Sequence, residues 1–535
     1  MSTRLPVKRS GDGHSNRIRA GRIAAKQVLA RLIPDSVELT STVTTPTTRL
    51  LVGGANFRPP RHDSPVVVNY DTLIGVPNVL PAALIGDSGV VAGLLNEDLM
   101  KRIQFAPRRH HRAMALASVP LVAATLLSGC GSGGGPPTLT WYILPDNGGS
   151  ETRAKECEAA ADGAYRVDIE ALPSTATAQR EQMVRRLAAG DSSIDVVSLD
   201  VVFTPEFANA GFLRPYTVEE TARLTTGMLP APVQTGMWDD QLYGAPYKSN
   251  TQLLWYRKSL AAAAGVDPTS PTFTWDEMLK AAVGQQKEIA VQAQRYEGYM
   301  VWINALIISA GGAILQNVEA GRKAEPSMAS PAGEKAAEIV GNLARSTAAP
   351  VDLSNASEEQ ARANFQSDQG MFMLNWPYVL AAARSAAEEG TLPQTVVDDI
   401  GWARYPRVDP NRPSAPPLGG ANLGIGAFSE HPEEAVAFVE CINELPKATQ
   451  YMLDEGEPSP YAASYDDPEL RAEYENADLI RESIAEGGPR PLTPFYTDIS
   501  GAVQQTWHPP SAVNTQTPQR TDEFMADVLA GRRLL

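Results

Sequence analysis

Residues 242–260 read LYGAPYKSNTQLLWYRKSL. Tyr243-Gly244-Ala245-Pro246 is a turn signal, and Leu253-Leu254-Trp255-Tyr256 is a short apolar run of the kind that forms a buried strand. Asn250, whose amide offers two donors and an acceptor, stands just before that run. Further on, Thr274-Trp275-Asp276-Glu277 spells a capping box, in which hydroxyl and carboxylate satisfy free amides at the start of a helix.

Upstream, strands and helices alternate. Thr138–Leu144 predicts a strand, Ser150–Ala161 a helix and Tyr165–Ala171 a strand with one wet face. Gln179–Ala189 predicts a helix stopped by Gly190, and Ile194–Leu199 a buried strand. This order predicts an α/β lobe on a mainly parallel sheet. Asp200 falls at the carboxyl end of the last strand, where ligands bind in open α/β sheets. Thr204-Pro205 then opens a helix, with Thr204 as its expected cap.

Downstream, helices are expected over 275–285, 292–312, 332–346 and 358–368, and a strand over Gly370–Tyr378. A glycine turn, Leu418-Gly419-Gly420-Ala421, leads into another strand, and Ser429–Leu445 and most of 446–535 read as helical.

A chain of 535 residues suggests at least two domains. Its formal net charge of −16 is uneven: residues 1–129 hold 16 Lys/Arg against 8 Asp/Glu, which leaves −24 on the rest. An acidic body argues against nucleic acid as a partner. The cysteines are Cys130, Cys157 and Cys441, without zinc spacing, and only His431 and His508 lie beyond residue 129. A histidine-based metal site or a Ser-His-Asp triad is poorly supplied.

Between Met100 and Cys130, Lys101, Arg102, Arg108, Arg109 and Arg112 precede the apolar segment Met114–Leu127. That length suits a signal segment better than a membrane span. It ends in Leu127-Ser128-Gly129-Cys130, which resembles the lipobox of bacterial lipoproteins and implies a lipid on Cys130. Residues 100–129 are therefore expected to be a signal peptide, and 130–137 a lipid-bearing cysteine with a glycine-rich tether. A secretion signal belongs at the start of a chain. Translation is expected to begin near Met100, with residues 1–99 a disordered extension arising from start assignment; a cytoplasmic extension is the alternative.

Five blocks carry a family resemblance: SLDVVFTPEFANAG (198–211), KSNTQLLWYR (248–257), QRYEGYMVWINALIISAGG (294–312), NWPYV (375–379) and LGGANLGI (418–425). In this order they resemble the extracellular sugar-binding proteins of bacterial ABC importers over about Leu139 to Leu529. The last three blocks, with Arg490 in GPRPLTP, are most similar to the trehalose-binding lipoproteins of mycobacteria. The resemblance implies a two-lobed periplasmic-binding-protein fold with the ligand between lobes. Residues 138–247 and 413–447 would form the first lobe and 248–412 the second. Residues 448–535 would be helical, mainly with the second lobe and returning to the first.

It also implies a non-catalytic protein without cofactor or metal, expected to be a monomer. A disaccharide, trehalose, would pass to a two-subunit permease with its ATPase. Asp200, Asn250, Glu358 and Arg490 would bond sugar hydroxyls. Trp376 would stack on a pyranose ring beside Tyr296 and Glu297, and the backbone around Gly420 and Ala421 would complete the cleft. Asp146 matches a first-strand acidic position. Vicinal hydroxyls suit charge-assisted bonds, and a pyranose face suits an indole.

Each residue also has a structural reading. Asp200 could cap the helix begun at Thr204, and Asn250 could satisfy a turn. Trp376 could be core, Glu358 a first-turn carboxylate and Arg490 half of a surface ion pair. Maltose, maltodextrin or a glycerophosphodiester are alternative ligands, and a glycoside hydrolase using Asp200 and Glu358 is the enzyme alternative. With Cys130 lipidated, Cys157 and Cys441 form an even pair in an oxidising compartment and are expected to be joined.

Overall fold

The computed structural model describes residues 135–534. Cys130, the signal segment 100–129 and the extension 1–99 lie outside the described residues.

The chain enters as β1 (Thr138–Ile143), α1 (Gly149–Ala160), β2 (Arg166–Ala171), α2 (Ala176–Ala188) and β3 (Val196–Asp200). β1 pairs in parallel with β2 and β3. After β4 (Leu213–Arg214), β5 runs from Ala245 to Thr251, and β6 from Leu253 to Arg257. The opening stretch of sequence is thus two strands separated by one residue, Gln252. β5 belongs to the six-stranded first sheet and β6 to a second sheet of four strands. Gln252 is buried at the crossing, where its Nε2 donates to Gln292 Oε1 at 2.7 Å; Gln292 Nε2 donates in turn to the Leu374 carbonyl at 2.9 Å.

The chain continues through α3 (Trp275–Gln285), β7 (Glu288–Ala290), α4 (Glu297–Ser309), α5 (Pro331–Arg345), α6 (Glu358–Gln366), β8 (Gly370–Asn375) and β9 (Ile400–Ala403). The capping box of α3 is complete: Glu277 N donates to Thr274 Oγ1 at 3.2 Å, and Thr274 N to Glu277 Oε2 at 2.9 Å. Such a cap contributes about 1 kcal/mol. The second sheet has the order β9-β6-β8-β7, with Trp255 of β6 fully buried and its Nε1 donating to the Asn375 carbonyl.

β10 (Leu418–Gly426) then returns to the first sheet, between β3 on one side and β4 and β5 on the other, antiparallel to all three. β10 is the one strand of the six that opposes the others, so the first sheet is mainly parallel, as expected. Local alternation along the chain shows the parallel strands but not a strand arriving some two hundred residues later. The expected glycine turn at 418–421 is instead strand. Gly420 has φ +114°, and a Cβ there would fall 2.1 Å from the Lys248 carbonyl oxygen, so only glycine lets β10 and β5 approach at this bulge.

Six further helices end the chain: α7 (Pro432–Ile442), α8 (Leu445–Glu455), a short α9 (Pro468–Glu473), α10 (Ala477–Ala485), α11 (Tyr496–Trp507) and α12 (Thr517–Leu529). α8 packs on α1, α10 on β5, and α11 and α12 on the α4–α5 layer. Cys157 of α1 and Cys441 of α7 are drawn as a disulfide, with Cα atoms 5.9 Å apart.

One core lies against the first sheet, where Trp141 meets Phe438 edge-on at 5.3 Å beside Cys157, Val196 and Leu423. Another runs from Val197 and Phe203 into the Trp275, Trp302 and Tyr496 cluster. The edge contact of Phe203 with Tyr496, 6.0 Å between centroids, carries it from the end of β3 to α11. Burial of this kind contributes about 1.5–3 kcal/mol for each large apolar side chain.

Candidate ligand-binding cleft

The two sheets and the C-terminal segment surround a cleft of about 650 Å3. Asp200 enters it from the end of β3, and Lys248 and Asn250 from β5. Tyr296 and Glu297 come from the start of α4, Glu358 from the start of α6, and Trp376 from the residue after β8. Gly419 and Gly420 of β10 and Arg490 complete this set. Of the ten ligand positions read from the sequence, eight line one cleft: Asp200, Asn250, Tyr296, Glu297, Glu358, Trp376, Gly420 and Arg490.

Arg490 is the electrostatic centre of this group and is only 3% exposed. Its Nη2 donates to Asp200 Oδ1 at 2.8 Å and its Nη1 to Glu297 Oε1 at 2.6 Å. Burial works against its charge, but the carboxylates of Asp200 and Glu297 hold its pKa above the ordinary arginine value. Its buried Nε finds no protein partner. A buried unpaired donor is costly, and a ligand oxygen would satisfy it. Glu297 also accepts from the hydroxyls of Tyr496 and Ser500. Burial raises its pKa, and Arg490 opposes the rise.

Trp376 is half-buried, with its ring edge against β10; a Cβ on Gly419 would lie 3.1 Å from two of its ring carbons. Asn375 fixes this corner. Its Oδ1 accepts from Trp376 N at 2.9 Å, and its Nδ2 donates to the Glu358 carbonyl at 3.0 Å. The Tyr296 hydroxyl is buried beside Glu358 without a well-formed hydrogen bond, and burial, then the Glu358 charge, pushes its pKa up.

Two positions stand apart. Ala421, paired between Asp200 of β3 and Lys248 of β5, is fully buried and is not among the residues that line the cleft. The carboxylate of Asp146 accepts from Gly148 N and Ser150 N at the start of α1 and from the Tyr451 hydroxyl, so it caps a helix rather than lining the cleft. Asp200 does both things: besides Arg490 it accepts from Val202 N at 3.2 Å, capping the turn before Thr204. Thr204 itself lies inside its helix, not at the cap, and its Oγ1 accepts from Asn422.

Sequence reading missed Lys248, the Glu455-Gly456-Glu457 loop, the Ser174–Thr177 segment, Arg295, Tyr378 and Gln504. Lys248 was within reach of the pattern. It stands two residues from Asn250, and on a strand that spacing shares a face. Among the described residues, no group of three metal-binding side chains is placed to hold an ion, and no helix is long and apolar enough to cross a membrane.

The family model described as bacterial extracellular solute-binding protein matches residues 152–444. A probable ABC transporter-binding protein of Deinococcus radiodurans is 26% identical over 345 residues, covering 61% of this chain and 75% of that one. Among solved structures, maltose-bound MalE3 of T. maritima superposes with a TM-score of 0.64 at 24% identity, covering 74% of this chain and 100% of that one. An ABC transporter solute-binding protein of Thermotoga lettingae, bound with α-D-tagatose, gives 0.62 at 21% identity, covering 74% and 100%. These structural likenesses establish the two-lobed periplasmic-binding-protein fold.

Proposed function

The chain belongs to the bacterial extracellular solute-binding proteins, and we propose that it holds a disaccharide, trehalose, in the cleft and delivers it to a two-subunit ABC permease with its ATPase. The observation that carries this reading is the composition of the cleft. Carboxylates, amides and one buried arginine converge from both sheets around a half-buried indole. Polar groups on several sides with one flat aromatic face suit a pyranose better than an apolar ligand. The sugar-bound relatives, one with maltose and one with tagatose, support a carbohydrate. The LGGANLGI, NWPYV and 294–312 blocks support trehalose in particular.

Binding would draw the sheets together, since a ligand that contacts both favours the closed arrangement. A lipid on Cys130 would hold the protein at the cell membrane outside the cytoplasm. Chemistry on the sugar plays no part in this reading.

Thermal unfolding with trehalose, maltose, sucrose, galactosyl disaccharides and glycerophosphocholine tests it. Trehalose is expected to raise the midpoint most, because a ligand specific to the native state stabilises that state. A larger shift with glycerophosphocholine, or release of free glucose from trehalose at enzyme-like turnover, would overturn the proposal.

A further inference from the structure

We infer that Glu457, braced by Lys248 and Asn250, is a ligand-contact residue that selects for a pair of adjacent hydroxyls on a neutral sugar. The inference rests on the disaccharide reading above and adds a third wall to the cleft, contributed by the loop after α8.

That wall is built rather than incidental. Gly456 turns the chain with φ +72° at the end of α8. Ser249 N of β5 then donates to the Pro458 carbonyl at 2.8 Å, and Leu229 N to the Pro460 carbonyl at 2.9 Å, so the loop is fastened at two points. Lys248 Nζ donates to Glu457 Oε1 at 3.0 Å and Asn250 Nδ2 to Oε2 at 3.1 Å. Each oxygen thus holds one protein donor. A carboxylate has about four acceptor sites, so each oxygen keeps one.

Lys248 is the less exposed partner, at 8% of its side chain against 29% for Glu457. Both groups line the cleft, and the carboxylate is the more exposed of the two. Glu457 presents two parallel acceptors, the counterpart of two vicinal hydroxyl donors. Asp200, Glu297, Glu358 and Glu455 line the same cleft, so with Glu457 an anionic ligand would meet five carboxylates, two of them paired with Arg490.

Calorimetric titration of the purified protein and its Glu457→Gln and Lys248→Met variants tests this. The probes are trehalose and maltose, and the single-hydroxyl deoxy derivatives of whichever binds. Glu457→Gln is expected to weaken binding roughly 10- to 100-fold, the loss of a charge-assisted pair of bonds. It should also abolish the affinity penalty at one or two adjacent deoxy positions that wild type and Lys248→Met both show. If wild type binds neither sugar, the disaccharide reading falls and this inference with it. If wild type binds but Glu457→Gln keeps the same affinity and the same deoxy pattern, only the assignment of Glu457 is overturned. A lower melting midpoint without sugar would then mark a purely structural ion pair.

Discussion

Arg490 and Asp200 lie 290 positions apart in sequence, yet their side chains meet at 2.8 Å at the carboxyl end of β3. Arg490 also reaches Glu297 at the start of α4, so one buried cation joins the first sheet to the helix layer of the second. Such an arrangement is held by mutual compensation rather than by surplus attraction. Removing the cation leaves two carboxylates, each only 18% exposed, without a compensating charge. Arg490→Ala is expected to cost about 3–5 kcal/mol in urea denaturation, with part recovered when Glu297→Gln is added. An unchanged urea midpoint for the single variant would show that the triad does not support the fold.

Trp376 and Gly419 separate affinity from stability. The ring edge rests on a backbone position without a side chain, and a methyl there would come within 3.1 Å of two ring carbons. Gly419→Ala should tilt the ring at little cost to folding, and Trp376→Ala should remove it. Stacking on this scale is worth about 0.5–1.5 kcal/mol beyond area burial, so sugar affinity should fall about tenfold in both variants. Unliganded unfolding midpoints should move by under about 1 kcal/mol for Gly419→Ala, because the ring has open cleft to move into. Equal sugar affinity in wild type and Trp376→Ala would remove the indole from the site.

Most of the cleft was legible because its residues sit where local pattern is strongest. Asp200 ends a short buried strand, Glu297 and Glu358 begin helices, and Trp376 follows the buried run 370–375. What the sequence hid is non-local. β10 takes its place beside β3 through pairing that no window of sequence contains. Asp146 was read as a ligand group although the amides of Gly148 and Ser150 bind its carboxylate. An acidic residue two to four positions before a helix serves that purpose as readily as it serves a ligand. Glu457 gave no periodic signal, since its role depends on a loop fastened to β5 from a distance.

Cys157 and Cys441 close a loop with a sequence separation of 284 and tie α1 to α7. Cross-links of native geometry contribute about 2–5 kcal/mol, chiefly by restricting the unfolded chain. Mass spectrometry after alkylation of the denatured, unreduced protein should find neither thiol modified, and reduction should add two alkyl groups. Cys157→Ala with Cys441→Ala should lower the urea midpoint while leaving sugar affinity within about twofold, since neither residue lines the cleft. Alkylation of both thiols without reduction would overturn the pairing.

Asp399 gives a prediction in pH. It opens the turn into β9 and accepts from Arg257 Nε at 2.8 Å, Ser259 N at 2.7 Å and Ser259 Oγ at 2.6 Å, which closes the end of β6 against its neighbour. Burial acts to raise its pKa, but the hydrogen bonds from Ser259 and Arg257 outweigh it and hold the group below its ordinary 3.8. A carboxylate depressed in the folded state binds fewer protons there than in the unfolded chain. Its contribution is therefore complete well above pH 3.8, and it is lost as pH falls from that value through the lower folded one. Asp399→Asn should cost about 1–3 kcal/mol at pH 7, the worth of hydrogen bonds to a charged group. In acid the two proteins should converge as the wild-type carboxylate takes up its proton. Urea titrations at pH 7, 5, 4 and 3 measure the gap directly. A difference that stayed constant down to pH 3, or grew there, would show that Asp399 acts through shape alone and not through its charge.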